Sequence, residues 1–560
     1  MNQDLHTPYE CGNRNQTATW EECISFYQLL AGRYPTVLRF FEIGRSDGGT
    51  PIHAGVVTAD GVFDQEQIRR ANRPVFFNNN GIHPGEPEGI DACMALVRDF
   101  CIDPVLRAAL KDVVFLFIPI YNVDGCLNRN SSSRVNQLGP ENHGFRGNAL
   151  NLDLNRDFIK CDSLNAQVFN QFFAGWDPDL MVDTHTSNGA DYSYTMTVIQ
   201  TQADKLGGAL GAFVRDILLP EVSVTMQGRG WPFCPYVNPV KETPDDGIED
   251  FLEVPRFSTG YAALNHTIGF MPETHMLKSF ADRYESMRAF VETMVKFTAK
   301  HASEIQALRK AARSAMPQSW PLTWNVDREN ISTFRFNGFA AVYSPSKLGN
   351  YQRLSYDRNQ PWEKDIDYYD HFVPDISVPA AKSYIVPQQW REVIQRLAWN
   401  QVAMERVAET TLQSVQTYHV SNVTTRSAPY EGHMFHDGVE VESRTEIVRV
   451  NAGDYLIHTD QVKSRYVVET LEPQAHDSFF RWGFFNSILE KKETFSDYVF
   501  EDTALELLET EPGLRSLFEQ WGRDNPELLS DQQAVLQFIF AHCQRYREPE
   551  WRRYPVFRVV

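Results

Sequence analysis

Two residues three positions apart carry the first chemical signal in this chain. In PVFFNNNGIHPGEPE, residues 74–88, an apolar run from Val75 to Phe77 stops at three asparagines and a glycine, and His83 and Glu86 follow. The pattern reads as a buried strand that opens into a turn, with the next helix starting near Pro87. In an open α/β sheet, ligands bind in the crevice at the carboxyl ends of strands, and neither side chain is needed there for packing. Imidazole nitrogen and carboxylate oxygen both suit Zn2+, and a catalytic zinc site takes three protein ligands and keeps one position open. A surface turn offers the same two residue types, so the reading requires a third ligand and a base elsewhere.

His185 supplies the third ligand. It sits just past an apolar run ending at Asp183, a strand end like that of His83, and strand ends of a parallel sheet lie side by side. Two histidines and a glutamate form a known catalytic zinc set. Asp183, two residues earlier, can orient an imidazole from outside the ligand set. Glu273 follows the apolar run TIGFM, residues 267–271. A carboxylate there can take the proton of an attacking water, or it is a helix-start acid preceding His275. Arg146 in GFRGNA and Asn155-Arg156 in DLNRDF add cations and a neutral donor. Arginine grips carboxylates bidentately; one such side chain can dock a free carboxylate and another can face a developing oxyanion.

These residues need strands to hold them. Val37 to Ile43 and Ile52 to Val57 flank the turn SDGGT and read as a hairpin. Residues 74–80, the run VVFLFI at 113–118, and residues 179–183, 192–198 and 267–271 read as further strands. Helices are expected at 20–34 behind the capping-box spacing of Thr19 and Glu22, and at 90–100, 162–173, 201–218 and 280–299. Alternating strands and helices predict an α/β fold with a mixed, mostly parallel sheet between helices. Residues 128–151 form an irregular segment longer than a connector needs, and residues 225–260, rich in Gly, Pro and aromatics, read as loops around a pocket.

Beyond about residue 300 the pattern changes. The expected division is a catalytic domain over 1–300, a linker over 301–330 with its Pro/Trp-rich stretch at 313–325, and a C-terminal α+β or β-rich domain over 331–560. Short strand-like runs recur there at 334–343, 383–386, 421–425, 445–450 and 464–468, with helical patterns at 390–405, 502–509 and 531–542. No paired catalytic motif occurs in that half.

Composition narrows the partners. The formal charge is -20, from 73 acidic and 53 basic residues, which disfavours nucleic acid and anionic membrane. No apolar run reaches the length of a membrane span. The N-terminus MNQDLHTPYE lacks the apolar core of a signal peptide, and the eight cysteines form no CxxC pair. A reducing, cytoplasmic setting is the default expectation, with a periplasmic or secreted one if a leader has been removed. Oligomeric state is not indicated.

The four motifs, in this order, resemble the M14 family of zinc carboxypeptidases. HPGE, residues 83–86, is similar to the family's HxxE ligand pair; GFRGNALNLDLNRDF, residues 144–158, to its arginine followed by an asparagine-arginine pair; VDTH, residues 182–185, to the strand bearing the second ligand histidine; and ETH, residues 273–275, to the segment with the catalytic glutamate. The resemblance covers residues 1 to about 300. It implies an eight-stranded mixed sheet, zinc at His83, Glu86 and His185, Glu273 as general base, Arg146 as carbonyl and oxyanion electrophile, and Asn155 and Arg156 on the substrate's terminal carboxylate. The HPGEPEG, NRDF and PETH spellings resemble a bacterial branch of poorly defined substrate that often carries export signals, which this chain lacks. The family's best-known members place a substrate-binding tyrosine about 22 residues before the glutamate, where this chain has Phe251; Tyr261 is the substitute expected here, with Arg256 beside it for a second acidic group. The expected function is hydrolysis of a peptide bond next to a free C-terminal carboxylate. The alternatives are a zinc amidohydrolase or deacylase acting on acyl-amino acids, an amidase acting on cell-wall peptides, and a non-catalytic binding protein that kept the pocket.

Overall fold

A computed structural model describes residues 5–560 of the chain; residues 1–4 of the polar N-terminal stretch lie outside it. The large sheet is built from β1 (Leu38–Arg45), β2 (Pro51–Val57), β3 (Val75–Asn79), β4 (Val114–Ile118), β5 (Leu180–Asp183), β6 (His185–Ser187), β7 (Met196–Gln200), β8 (Phe233–Pro235) and, after the short β9 (Ile248–Glu249) of another sheet, β10 (Ile268–His275). Its spatial order is β1-β2-β4-β3-β5-β10-β7-β8, with β6 also against β10. The β1–β2, β2–β4 and β7–β10 pairs are antiparallel and the rest parallel. The α/β fold with a mixed, mostly parallel sheet expected from the sequence is therefore present.

The central strands are apolar at successive positions because both faces are covered. Phe76 stacks on Phe115, and Phe115 meets Phe100 of the helix Glu88–Ile102. Phe77, pointing the other way, meets Phe169, Phe172 and Phe173 of the helix Leu164–Trp176. The long helix Phe280–Lys300 packs on Glu88–Ile102 and on β10. Thr19 and Glu22 form the capping box read from their spacing and start the helix Trp20–Arg33.

The sequence reading of 201–218 as one helix is corrected to shorter turns, Ala203–Leu206, Gly208–Phe213 and Val214–Leu218, leading into Leu219–Gly228; Gly207 and Gly208, both at positive φ, break the run. The strand expected at 192–198 begins only at Met196. Residues 464–468 are not a strand but the start of the helix Ser464–Leu471, buried at every position, so its apolar content carries no period that separates helix from strand.

The segment expected as a linker is structured. Residues 302–314 are a helix whose Arg309 pairs with Asp179 and donates to the His266 carbonyl at 2.9 Å. Strands Ser319–Pro321 and Trp324–Val326 then pair with Ser377–Pro379 and Phe372–Pro374. The rest of this half holds a long antiparallel hairpin, Ser332–Pro345 with Gln352–Tyr369, and a six-stranded sheet that includes Thr411–Thr425 and His436–Val450. Helices Asp497–Thr510, Leu514–Asp524 and Gln532–His542 close on a small core of their own. One continuous hydrophobic core runs from the large sheet into this half, through Tyr261, Tyr384, Tyr466 and Trp482.

Candidate active site

The three asparagines that end β3 hold neighbouring strand ends together. Asn79 donates to Asp183 at the end of β5 (3.0 Å), Asn80 to the Ile118 carbonyl at the end of β4 (3.0 Å), and Asn78 to Asn80 (3.0 Å). Gly81, at φ +63°, turns the chain away from the sheet, a conformation that suits glycine. A Cβ on Gly89 would stand 1.9 Å from Thr184 Oγ1, so the helix Glu88–Ile102 approaches β5 closely enough to seat Glu86 beside His185.

His83, Glu86 and His185 converge there, their ligand atoms within 4.8 Å of one another and all three residues buried. His83 Nε2 lies 2.8 Å from Asp153 Oδ1, and His185 Nε2 lies 3.1 Å from Asp183 Oδ2. Each carboxylate fixes the N–H on that outer nitrogen and leaves Nδ1 with its lone pair facing inward. Inward stand the Glu86 oxygens, Oε1 at 3.4 Å from His83 Nδ1 and Oε2 at 3.1 Å from His185 Nδ1. Lone pairs facing a carboxylate at this range call for a cation between them. His83 Nδ1 is moreover buried without a hydrogen-bond partner. The donor set, its orienting carboxylates and the orphaned nitrogen fit Zn2+. Arg134 Nη1 (2.8 Å, to Oε1) and the Thr186 N–H (2.9 Å, to Oε2) aim the Glu86 carboxylate.

Glu273 lies inside β10, not beyond its end, paired with His185 of β6 on one side and Thr197 of β7 on the other. Thr184 interrupts β5 and β6, and this break places the His185 ring beside Glu273 at the cavity wall. Glu273 Oε2 is buried and unpartnered. Burial pushes its carboxyl up to about 7, with the Glu86 charge adding to the effect.

Asp153, inside the DLNRDF motif, organises the cationic side of the cleft. Besides His83 it accepts from Arg146 Nε (2.9 Å) and stands 3.9 Å from Arg156. Arg146 also reaches Glu86 Oε1 at 3.4 Å. The Arg156 guanidinium rests 4.4 Å above the Phe257 ring and donates to the Asn155 carbonyl. Asn155 Oδ1 accepts the Ser258 N–H at 3.1 Å, which fixes the flip of the amide and leaves its NH2 as the free donor. All of these except Asp153 and Ser258 line one cavity of about 310 Å3, with Tyr236, Phe251, Glu253, Ile199 and Met271.

Two sequence expectations are corrected. Tyr261 is fully buried in the helix Ser258–Leu264, stacked on Phe158, with its hydroxyl donating to Asn400 at 2.6 Å; it does not reach the cleft. Arg256 is tied to Asp477 (2.9 Å) and enclosed by the rings of Tyr430, Phe435 and Trp482, so it clamps a loop and is not a substrate contact. The tyrosine that lines the cleft is Tyr236. Spacing singles out none of Arg134, Asp153, Tyr236 and Glu253. The length of 128–151 and the aromatic richness of 225–260 were the available signals for the segments that carry Arg134, Tyr236 and Glu253.

Residues 23–200 match the zinc carboxypeptidase family. That stretch is of the M14 zinc carboxypeptidase type, and with the ligand cluster in place the protein is a zinc metallopeptidase of carboxypeptidase type. It is 21% identical over 420 residues, 72% of each chain, to Carboxypeptidase 2 of Trichophyton equinum, and 20% identical over the same length to that of Trichophyton rubrum. Among solved structures, a metallo-carboxypeptidase from Burkholderia cenocepacia superposes with a TM-score of 0.37 at 15% identity, covering 51% of this chain and 70% of that one. Carboxypeptidase A from Helicoverpa armigera gives 0.37 at 14% identity, covering 52% and 74%.

Proposed function

We propose that the chain removes residues from the carboxyl end of peptides, with the roles assigned here to its side chains. The observation that carries this reading is that the ligand triad, an unpartnered glutamate and an Asn-Arg donor pair open onto one cavity of about 310 Å3. Asn155 and Arg156 receive the substrate's terminal carboxylate, Arg156 pre-oriented on Phe257. Arg146, steadied by Asp153, donates to the carbonyl oxygen as negative charge grows there. Glu273 takes a proton from the attacking water, whose oxygen bonds to the carbonyl carbon. The same carboxyl then returns the proton to the amide nitrogen as the C–N bond breaks, releasing an amine and a carboxylate. Zinc held by His83, Glu86 and His185 supplies Lewis-acid polarisation and eases ionisation of water.

The test is incubation of the zinc-loaded protein with a mixed peptide library, read by mass spectrometry. Stepwise loss of residues from the C-terminus is the expected result. Loss from the N-terminus only, removal of N-acyl groups only, or intact peptides would contradict the reading.

A further inference from the structure

A tight turn of the C-terminal half, between the strands Thr411–Thr425 and His436–Val450, rests on the motif that carries Asn155 and Arg156. Tyr430 and His433 exchange backbone hydrogen bonds at 2.8 and 3.0 Å and close the chain over Glu431 and Gly432. Both central residues have positive φ, +49° and +85°, the signature of a type I′ turn. The first central position of such a turn favours Asn, Asp or Gly, and an ordinary side chain is strained there. Glu431 breaks this turn chemistry, and local strain of that kind marks a side chain held for a purpose. Its carboxylate accepts the Asp153 N–H at 2.9 Å. The turn is well seated for that contact. A Cβ on Gly432 would stand 3.8 Å from the Leu152 side chain, so the tip lies against the motif. His433 Nε2 is 2.6 Å from Asp162 Oδ2, and the Tyr430 ring stacks on Trp482. Asp153 in turn caps the short 3-10 turn Leu154–Arg156, its own carboxylate accepting the Asn155 N–H at 2.9 Å. The bond from Glu431 thus fixes the backbone at the point from which Asn155 and Arg156 are aimed into the cavity.

We propose that Glu431 is a positioning residue of the active site, supplied by the C-terminal half: through the Asp153 N–H it holds the 153–156 turn so that Asn155 and Arg156 meet the substrate's terminal carboxylate. This rests on the carboxypeptidase reading, and the experiment separates the two. Zinc-loaded, full-length wild type, Glu431→Gly and Glu431→Gln are assayed on a peptide ending in a free leucine. Binding of N-acetyl-leucine, a carboxylate probe that needs no turnover, is measured by calorimetry. Glycine suits positive φ, so Glu431→Gly should fold, keep its zinc and melt within about 3 °C of wild type. It loses the acceptor, so KM should rise by at least about 5-fold and N-acetyl-leucine should bind correspondingly more weakly. Its kcat should stay within about 2-fold, because the loss is one of substrate binding. Glu431→Gln keeps a carbonyl oxygen for the N–H and should bring KM and probe affinity back to within about 2-fold of wild type. A merely structural residue would show the reverse, a lower melting temperature with KM kept. Unchanged KM and probe affinity in folded Glu431→Gly, or an equal loss in Glu431→Gln, overturns the proposal. If no terminal residue is released from any peptide but N-acetyl-leucine binding weakens in Glu431→Gly and returns in Glu431→Gln, the carboxypeptidase reading fails and the positioning role stands. If Glu431→Gly does not fold, Glu431→Asn takes its place, since asparagine tolerates positive φ and is shorter by a methylene.

Discussion

Glu273 is the side chain on which turnover should depend most sharply at the scale of single residues. Glu273→Gln keeps the volume and removes the proton carrier, so kcat should fall by at least about 10²-fold, the scale of general acid–base help. Zinc content should stay at wild-type level, because the ligand cluster is His83, Glu86 and His185, and substrate binding should persist through Asn155 and Arg156. Near-normal kcat in folded, metal-quantified mutant would show Glu273 to be a structural acid. These ligands and this base are legible from sequence because each follows an apolar run that can only be a covered strand. Asp153 is harder to read. It stands in the quoted motif, but its role arises from reaching His83, Arg146 and Arg156 at once, which no linear spacing encodes. Tyr261 misleads for the converse reason: a tyrosine near the expected position satisfies a pattern, while the small residues around it, STGYAAL, form a buried helix that draws its ring into the core.

Among the elements, the joints between strands and helices hold buried histidines that make the fold sensitive to acid. His266 occupies the turn between the helix Ser258–Leu264 and β10, 6% exposed and at φ +52°. Burial, aided by the charges of Arg465, Arg313 and Arg309, lowers its pKa to about 3. The unfolded chain protonates this ring near the ordinary value of about 6.5. Protons therefore favour the unfolded state between those two values. His266 costs nothing above about 6.5, and stability is lost as the pH falls from there through the folded pKa. The slope approaches about 1.4 kcal/mol per pH unit at its steepest. His266→Asn, which tolerates positive φ, should flatten the curve over that window, read as the wild-type minus mutant difference in unfolding free energy against pH. A constant difference from pH 8 to 4 would show that the native ring accepts the proton. Element types in the large sheet are legible because its strands are apolar and bounded by turns. Boundaries slip where both faces are buried, as at Glu273, which the sequence places after a strand and the structure places within one. Residues 464–468 fail in kind, since a short run buried all round has no period to read.

In the molecule as a whole, the C-terminal half reaches the catalytic loops directly. Glu431 accepts the Asp153 N–H at 2.9 Å, Asp477 holds Arg256, Asn400 receives the Tyr261 hydroxyl, and Arg358 pairs with Asp191 at 2.6 Å. The shared hydrophobic core means that a chain ending near residue 314 would expose a broad apolar face. Such a truncation should lack the near-UV circular dichroism of the full protein, and calorimetry of the full chain should show its main body melting in one transition. A soluble, active fragment would instead establish the independent domain expected from the change of pattern at residue 300. That expectation rested on composition, which records the Pro/Trp-rich stretch but not the contacts that cross it. The central claim concerns the substrate end, where Asn155 and Arg156 hold a free carboxylate. It is tested most directly by kcat/KM of the zinc-loaded enzyme on one peptide in two forms, with a free and with an amidated C-terminus. Loss of a charge-assisted contact costs about 1.5–3 kcal/mol, so the amidated form should be slower by at least about 10-fold; equal rates on the two forms would contradict the account.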